Sequence, residues 1–325
     1  MKTIDLHCDT IMRFYDGEPL NGMENSHINL EKLKRGGCLA QCFAIFVPTG
    51  KSAERMGITD TPCEYFDKAY AAYLREMELN RDCIQPAFCV ADILANDAAG
   101  RMSAVLTVED GVTLNGEIGN VDEYHRKGVR MVALTWNFEN SLGFPQSKDP
   151  ERHKLGLKPF GIEAVRRMNE LGIAVDVSHL SEGGFWDVVR HSTKPIIASH
   201  SCCRAYRDIS RNLTDAQIRA VGESGGVVGI NYANDFLRDV TDYKTDRFTA
   251  ISDVVKHLRH IADIAGIDTL ALGSDYDGIR SQLEWQDCGG TQLLVDAVIK
   301  EFGFADAEKI CSKNVLRAFY DIFGA

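Results

Sequence analysis

Short runs of β-branched and other apolar residues recur along the chain, and stretches with helical spacing of apolar positions separate many of them. The runs predict strands over Thr3–Asp9, Cys38–Val47, Ser103–Asp110, Val129–Asn137, Ile173–His179, Pro195–Ser201, Gly226–Tyr232 and Thr269–Asp275. Helical periodicity predicts helices over Cys63–Leu79, Gly161–Leu171, Asp215–Glu223, Ile251–Ala265 and Ala307–Phe323. Gly172, Gly225 and Gly266 fall where a helix end calls for a left-handed residue. Strands alternating with helices are the mark of βα units and a parallel sheet, and about eight strands is what a closed barrel requires. The expected fold class is therefore α/β, a (β/α)8 TIM-type barrel. No shift in composition marks a second domain, so residues 1–325 read as a single barrel domain with an insertion around 48–101. That insertion is too long for an ordinary connection. It should hold the helix at Cys63–Leu79 and a short extra strand near Ala87–Val90.

Five of the predicted strands end in side chains of metal-ligand type. The first ends His7-Cys8-Asp9, the third Glu109-Asp110-Gly111, the fifth Asp176-Val177-Ser178-His179, the sixth Ser199-His200-Ser201, and the eighth Gly273-Ser274-Asp275-Tyr276-Asp277-Gly278. All strand C-termini of a parallel barrel meet at one face, so residues far apart in sequence converge there. Carboxylates and histidines are costly to bury unpaired, and a metal is their natural partner. Period-two alternation puts His7 and Asp9 on one face and turns Cys8 toward the core. Each motif alone has a plainer explanation: a hydrogen-bonded structural histidine, or an ion-paired glutamate. Their joint occurrence at strand ends does not. His27, His125, His153, His191, His257 and His260 lack this placement and read as loop or helix residues.

Composition narrows the partners. The net charge of −11 argues against nucleic acid and against an anionic membrane surface, both of which need basic patches. No stretch is long and apolar enough to span a bilayer. Charged Asp5 and Asp9 interrupt what would be the apolar part of a leader, so a cytoplasmic protein is expected. The 10 cysteines include no CxxC pair, and read as reduced, mostly buried thiols.

The ordered set of motifs resembles the membrane (renal) dipeptidases, peptidase family M19, across nearly the whole chain. His7-x-Asp9, Val108-Glu109-Asp110-Gly111, Asp176-Val177-Ser178-His179, Ser199-His200-Ser201 and Gly273-Ser274-Asp275-Tyr276-Asp277-Gly278 carry the likeness. Leu157-Lys158-Pro159-Phe160-Gly161 and Ser210-Arg211-Asn212 extend it. The resemblance implies a binuclear zinc site with two Zn2+ per chain. His7 and Asp9 would bind one ion, His179 and His200 the other, and Glu109 would bridge them. Asp275 would take a proton from the bridging water, and Arg211 would hold the substrate carboxylate. The substrate implied is a small peptide, a dipeptide with tolerance for a D-residue on its C-terminal side. A homodimer is a further family-level expectation.

One position departs from the family pattern. Mammalian members carry a histidine after the fourth strand, placed to assist the substrate carbonyl; here Leu134-Thr135-Trp136-Asn137 puts Trp136 there. Trp136 can stack on substrate or donate an indole hydrogen bond, but cannot act as an acid of imidazole strength. Asn137 or Asn140 offers a replacement donor. Two other readings stay open. Another hydrolase on the same barrel, a deaminase or lactonase, often bridges its metals with a modified lysine after the fourth strand, where this chain has none. A non-catalytic binding protein would be marked by a lost ligand, and none of the five is missing.

Overall fold

A computed structural model of the chain describes residues 1–242 and 244–324. Eight parallel strands close into a barrel: β1 (Thr3–Asp5), β2 (Cys38–Phe46), β3 (Met102–Glu109), β4 (Val129–Ala133), β5 (Ala174–Asp176), β6 (Ile197–Ala198), β7 (Val227–Ile230) and β8 (Leu270–Leu272). Each pairs with its chain neighbours, and β8 returns to β1 through Asp5 opposite Leu272. The longest ladder, β2 with β3, runs from Ala40 opposite Ser103 to Phe46 opposite Glu109.

Each of the eight barrel strands lies where the apolar runs predicted, but all stop earlier than read. β1 ends at Asp5 and β5 at Asp176. The cause is local. The Asp5 carboxylate accepts the His7 amide, and the Asp176 carboxylate accepts the Ser178 amide, which interrupts the regular ladder just past each strand, although Cys8 still bonds Cys42 and Ala44 of β2 through its backbone. The alternation survives this at the first strand. Cys8 is buried in the core, pairing with Tyr276 in a single parallel bridge.

One apolar cluster takes residues from all eight strands, among them Ile4, Cys42, Val105, Met131, Ala174, Ile197, Val227 and Ala271, as only a layer inside the barrel can. Val315, Ala318, Phe319 and Ile322 of the C-terminal helix pack against it. A larger cluster lies between the strands and the surrounding helices.

Four predicted helices form at Pro62–Leu79, Pro159–Leu171, Asp215–Glu223 and Ile251–Ala265. The first and third start from capping boxes, Thr61 with Glu64 and Thr214 with Gln217. The run predicted at Ala307–Phe323 is broken by a π turn at Lys309–Lys313. In the segment 48–101 the extra strand is Ile84–Pro86, not Ala87–Val90. Val90 opens a helix to Ala98 instead, because the Asp92 carboxylate accepts the Phe88 and Cys89 amides and fixes the helix start. The extra strand pairs with the first residues of β3. All ten cysteines are unpaired thiols, seven of them buried. Among the described residues no helix is long and apolar enough to cross a membrane.

Candidate metal centre

The six polar residues predicted at strand ends meet at the C-terminal mouth of the barrel. Glu109 is the last residue of β3, while His7, His179, His200 and Asp275 stand two or three residues past β1, β5, β6 and β8. Glu109 sits between two groups. Its Oε2 is 3.6 Å from His7 Nε2; its Oε1 is 3.0 Å from His179 Nε2 and 3.5 Å from His200 Nε2. His7 Nε2 is also 3.5 Å from Asp9 Oδ1 and 4.0 Å from Asp275 Oδ1. The His179 and His200 Nε2 atoms are 3.0 Å apart, and the His7 and His200 rings stack with centroids 3.8 Å apart. Two overlapping sets, His7 with Glu109 and His200, and His7 with Asp9 and Asp275, have their donor atoms close enough to surround one ion each.

Burial sets the charges. It drives His179 and His200 well below the ordinary histidine range, with the positive charges of Arg211 and His7 adding to the effect, so both imidazoles are neutral donors. Burial alone would also lower His7, but the carboxylates of Glu109, Asp9 and Asp275 outweigh it and hold its pKa at about 10. Burial, with Asp9 behind it, pushes the Glu109 carboxyl far above the usual carboxylate range. Asp275 is raised by burial, against the opposing charge of His7, to about 7. Among the described residues His7 Nε2 and Asp9 Oδ1 are buried without a close hydrogen-bond partner, 3.5 Å apart across the centre. Buried polar atoms are normally satisfied, and a cation held between them is one partner that would satisfy both.

Further residues, several of them inside the same strand-end motifs, hold the centre in place. Ser199 Oγ donates to the Asp176 carboxylate and lies 2.7 Å from His200 Nδ1. A hydroxyl has one proton, so Nδ1–H must donate to Ser199, which leaves the His200 Nε2 lone pair pointing at Glu109. His179 Nδ1 lies 3.4 Å from Asn137 Oδ1, which accepts its proton with the same result. Asn231 Nδ2 donates to Asp275 Oδ2 at 2.8 Å. Asp5 accepts both the amide and the hydroxyl of Ser274. His179 and Asp275 themselves adopt left-handed backbone, with φ of 66° and 62°, uncommon for residues other than glycine. A Cβ on Gly278 would lie 2.1 Å from Asp9 Oδ2 and 2.3 Å from Asp275 Oδ1, so only glycine lets the chain pass there.

A cleft of about 590 Å³ opens over the centre, lined by Asp9, Glu109, Trp136, Asn137, His179 and Asp275 among others. Trp136 stands edge-on to Phe46 at 4.8 Å and 6.2 Å from the His179 ring. Asn137 is exposed in the cleft; Asn140 is not part of it. The Asn140 amide is taken up by Asp110, the Leu134 carbonyl and the Leu142 and Gly143 amides, so it shapes its loop and is no substitute donor. Arg211 is buried behind His200. Its guanidinium donates to the His200 carbonyl at 2.9 Å and to Ser201 Oγ at 3.0 Å, and among the described residues its Nε has no hydrogen-bond partner.

Comparison with known proteins decides which family this architecture represents. A family model described as membrane dipeptidase, peptidase family M19, matches residues 1–323. The chain belongs to the M19 membrane dipeptidase family. It is thus a metallopeptidase-family protein of the dipeptidase type, as its motifs suggested. A Klebsiella pneumoniae protein from the pqqA 5′ region, itself uncharacterized, is 35% identical over 230 residues, 68% of this chain and 83% of that protein. An uncharacterized dipeptidase of Schizosaccharomyces pombe is 31% identical over 273 residues, 80% of this chain and 62% of that one. The crystal structure of an M19 metallopeptidase, the dipeptidase AC, matches with a TM-score of 0.89 at 27% identity, over 100% of this chain and 99% of that one. A metallopeptidase from Rhodobacter sphaeroides, crystallised with a phosphinate mimic of the dipeptide L-Ala-D-Ala, matches with a TM-score of 0.86 at 26% identity, over 99% of both chains. Within this M19 member, the holding residues Ser199, Asn231, Ser274 and Asp5 carry no spacing signal of their own; only Ser199 and Ser274, adjacent to His200 and Asp275, could have been suspected.

Proposed function

We propose that the protein is a binuclear zinc dipeptidase that hydrolyses the peptide bond of dipeptides and accepts a D-residue on the C-terminal side. The observation that carries this reading is the two-sided Glu109, with one oxygen toward His7 and the other toward His179 and His200. The donor set fits zinc: imidazole nitrogens, already neutral at His179 and His200, and carboxylate oxygens, with buried atoms of His7 and Asp9 left unsatisfied among the described residues. His7 and Asp9 would hold one ion, His179 and His200 the other, and Glu109 both. Zinc there would supply an activated water at neutral pH and a Lewis acid for the scissile carbonyl.

The chain's own residues do the rest. Asp275, held by Asn231, takes a proton from the attacking water and delivers it to the leaving amine. Arg211 has an unpartnered Nε beside its two anchored nitrogens, and receives the substrate's C-terminal carboxylate. Trp136 and Asn137 line the cleft; Trp136 offers a stacking face, and Asn137 also orients His179. The dipeptide mimic bound by the Rhodobacter neighbour supports the D-residue tolerance.

The test joins metal analysis to a substrate panel. Protein purified without chelator is expected to carry two zinc ions per chain. It should cleave L-Ala-D-Ala and L-Ala-L-Ala and discriminate against the C-terminal amides by roughly a hundredfold in kcat/KM. Arg211→Ala should erase the discrimination. Absence of metal together with no gain of activity on adding zinc rejects the proposal. Equal rates on acid and amide in the parent reject the role of Arg211.

A further inference from the structure

Beside the cleft lies a second cavity of about 540 Å³ that shares the walls Asn137, His179, Asp235 and Phe236 with it. Arg211 lines this second cavity and not the first. If Arg211 takes the α-carboxylate, the C-terminal residue of a dipeptide sits on this side of the centre, with its side chain directed into the second cavity.

The wall of that cavity carries Lys148, Arg204, Arg207 and Arg211 together with the carboxylates Asp208 and Asp235. Arg207 is ion-paired with Asp239, and Arg211 is assigned to the α-carboxylate, which leaves Arg204 and Lys148 to meet a side chain. Arg204 is held by neutral partners. Its Nε donates to the Asn212 carbonyl at 3.2 Å, and one terminal nitrogen meets the Ser210 carbonyl and His153 Nε2, each at 3.4 Å. Burial and the adjacent Arg204 charge keep His153 below the ordinary histidine range, against the Glu182 carboxylate 3.8 Å from its Nε2, so it too is neutral. These contacts fix the guanidinium without offsetting its charge. Among the described residues, neither Arg204 nor Lys148 has a carboxylate partner. Burial also pushes the Asp235 carboxyl upward, which weakens the one acidic group shared with the cleft.

We propose that this cavity is a specificity pocket for an anionic side chain, so that the preferred dipeptides end in glutamate or aspartate. The inference rests on the dipeptidase reading of the metal centre. Arg204, pre-positioned and uncompensated, makes the charge-assisted contact; exposed Lys148 adds a long-range attraction at the rim.

The test compares kcat/KM of the zinc-loaded enzyme on Ala-Glu with Ala-Gln, and on Ala-Asp with Ala-Asn, pairs that differ in charge at nearly constant shape. The acid is expected to win by about tenfold or more at low ionic strength. The ratio should shrink toward one near 1 M salt, where the screening length is only about 3 Å. Taking the ratio within each variant cancels general damage: Arg204→Gln should collapse it, and Lys148→Gln, at an exposed position, should lower it. Turnover of neutral dipeptides with no acidic preference overturns the inference and leaves the dipeptidase reading standing. A preference that is insensitive to salt and unchanged in both variants also overturns it. Hydrolysis of no dipeptide at all overturns both.

Discussion

Asp275 faces two ways, with Oδ2 held by Asn231 at 2.8 Å and Oδ1 turned toward His7 at 4.0 Å. An asparagine in its place keeps the shape and the Asn231 contact but loses the proton acceptor. Asp275→Asn is therefore expected to retain its metal and to lose about 10²–10⁴ in kcat. Metal analysis beside the rate measurement decides it, since loss of zinc in the variant would make Asp275 a ligand, as its grouping with His7 and Asp9 also allows. Ser199 tests a different property. Its hydroxyl passes the pull of Asp176 to His200 Nδ1 and fixes the tautomer that frees Nε2. Ser199→Ala should weaken zinc binding about 10–100-fold, read by titration against a competing chelator, and Ser199→Thr should restore most of it. Unchanged affinity in the Ala variant would reduce Ser199 to a packing role. At this scale the sequence placed the strand-end residues, and several of their supports beside them, but not the contacts between them. His200 stood out because a histidine ended an apolar run. Ser199 did not, because its partner Asp176 lies on another strand, 23 residues away, and no local spacing encodes that contact.

Elements hold these residues at fixed distances, and the helix Ile251–Ala265 shows how. Its His257 is buried; Nδ1 accepts the Cys203 amide at 3.0 Å and Nε2–H donates to the Leu237 carbonyl at 2.8 Å. The helix is thereby tied to the segment that follows His200. Burial lowers the His257 pKa to about 4, and a second proton would break the contact with Cys203. In the unfolded chain the same side chain titrates near 6.5. Between these values the unfolded state binds a proton that the folded state refuses, so this group's contribution to stability is intact above about pH 6.5. It falls as pH drops toward 4, by about 3 kcal/mol in all. The expected signature is an imidazole resonance of His257 that stays neutral at pH 5 in the folded protein, alongside a falling urea midpoint from pH 7 to pH 4.5; titration of His257 near pH 6.5 in the native state would contradict it. The strands and the long amphipathic helices could be read in advance because their apolar spacing is regular. The helix Glu182–His191 escaped notice because Gly183 and Gly184 depress its propensity. The structure gives their reason. A Cβ on Gly183 would lie 2.2 Å from the Lys154 carbonyl, so this helix trades propensity for close approach.

Across the whole molecule, barrel closure gathers positions 7, 9, 109, 179, 200 and 275 into one small volume, an arrangement implied by the strand order before any contact is known. The second cavity was not implied, because Lys148, Arg204 and Arg211 reach it from irregular segments whose path depends on packing. The gathering has a thermodynamic consequence. Without metal, three carboxyl groups and an imidazolium share a buried centre, and burial drives Glu109 toward its protonated form. Glutamine closely mimics a protonated glutamate, so Glu109→Gln should leave the melting temperature of the metal-free protein nearly unchanged. The metal-loaded protein responds differently. Ligands that bind only the folded state stabilise it by about 2.7 kcal/mol at a hundredfold excess over Kd, and here they would cross-link residues from separate strands. Zinc should therefore raise the parent's melting temperature by several degrees, and chelation should reverse the gain. Because Glu109 faces both donor groups, its replacement should weaken both sites together and abolish most of that gain. Thermal melts of parent and variant, each with and without zinc, separate the two terms. A variant that gains as much from zinc as the parent would show that Glu109 is not shared, and a metal-free variant that melts far below the metal-free parent would show that the carboxylate, not the metal, holds the centre together.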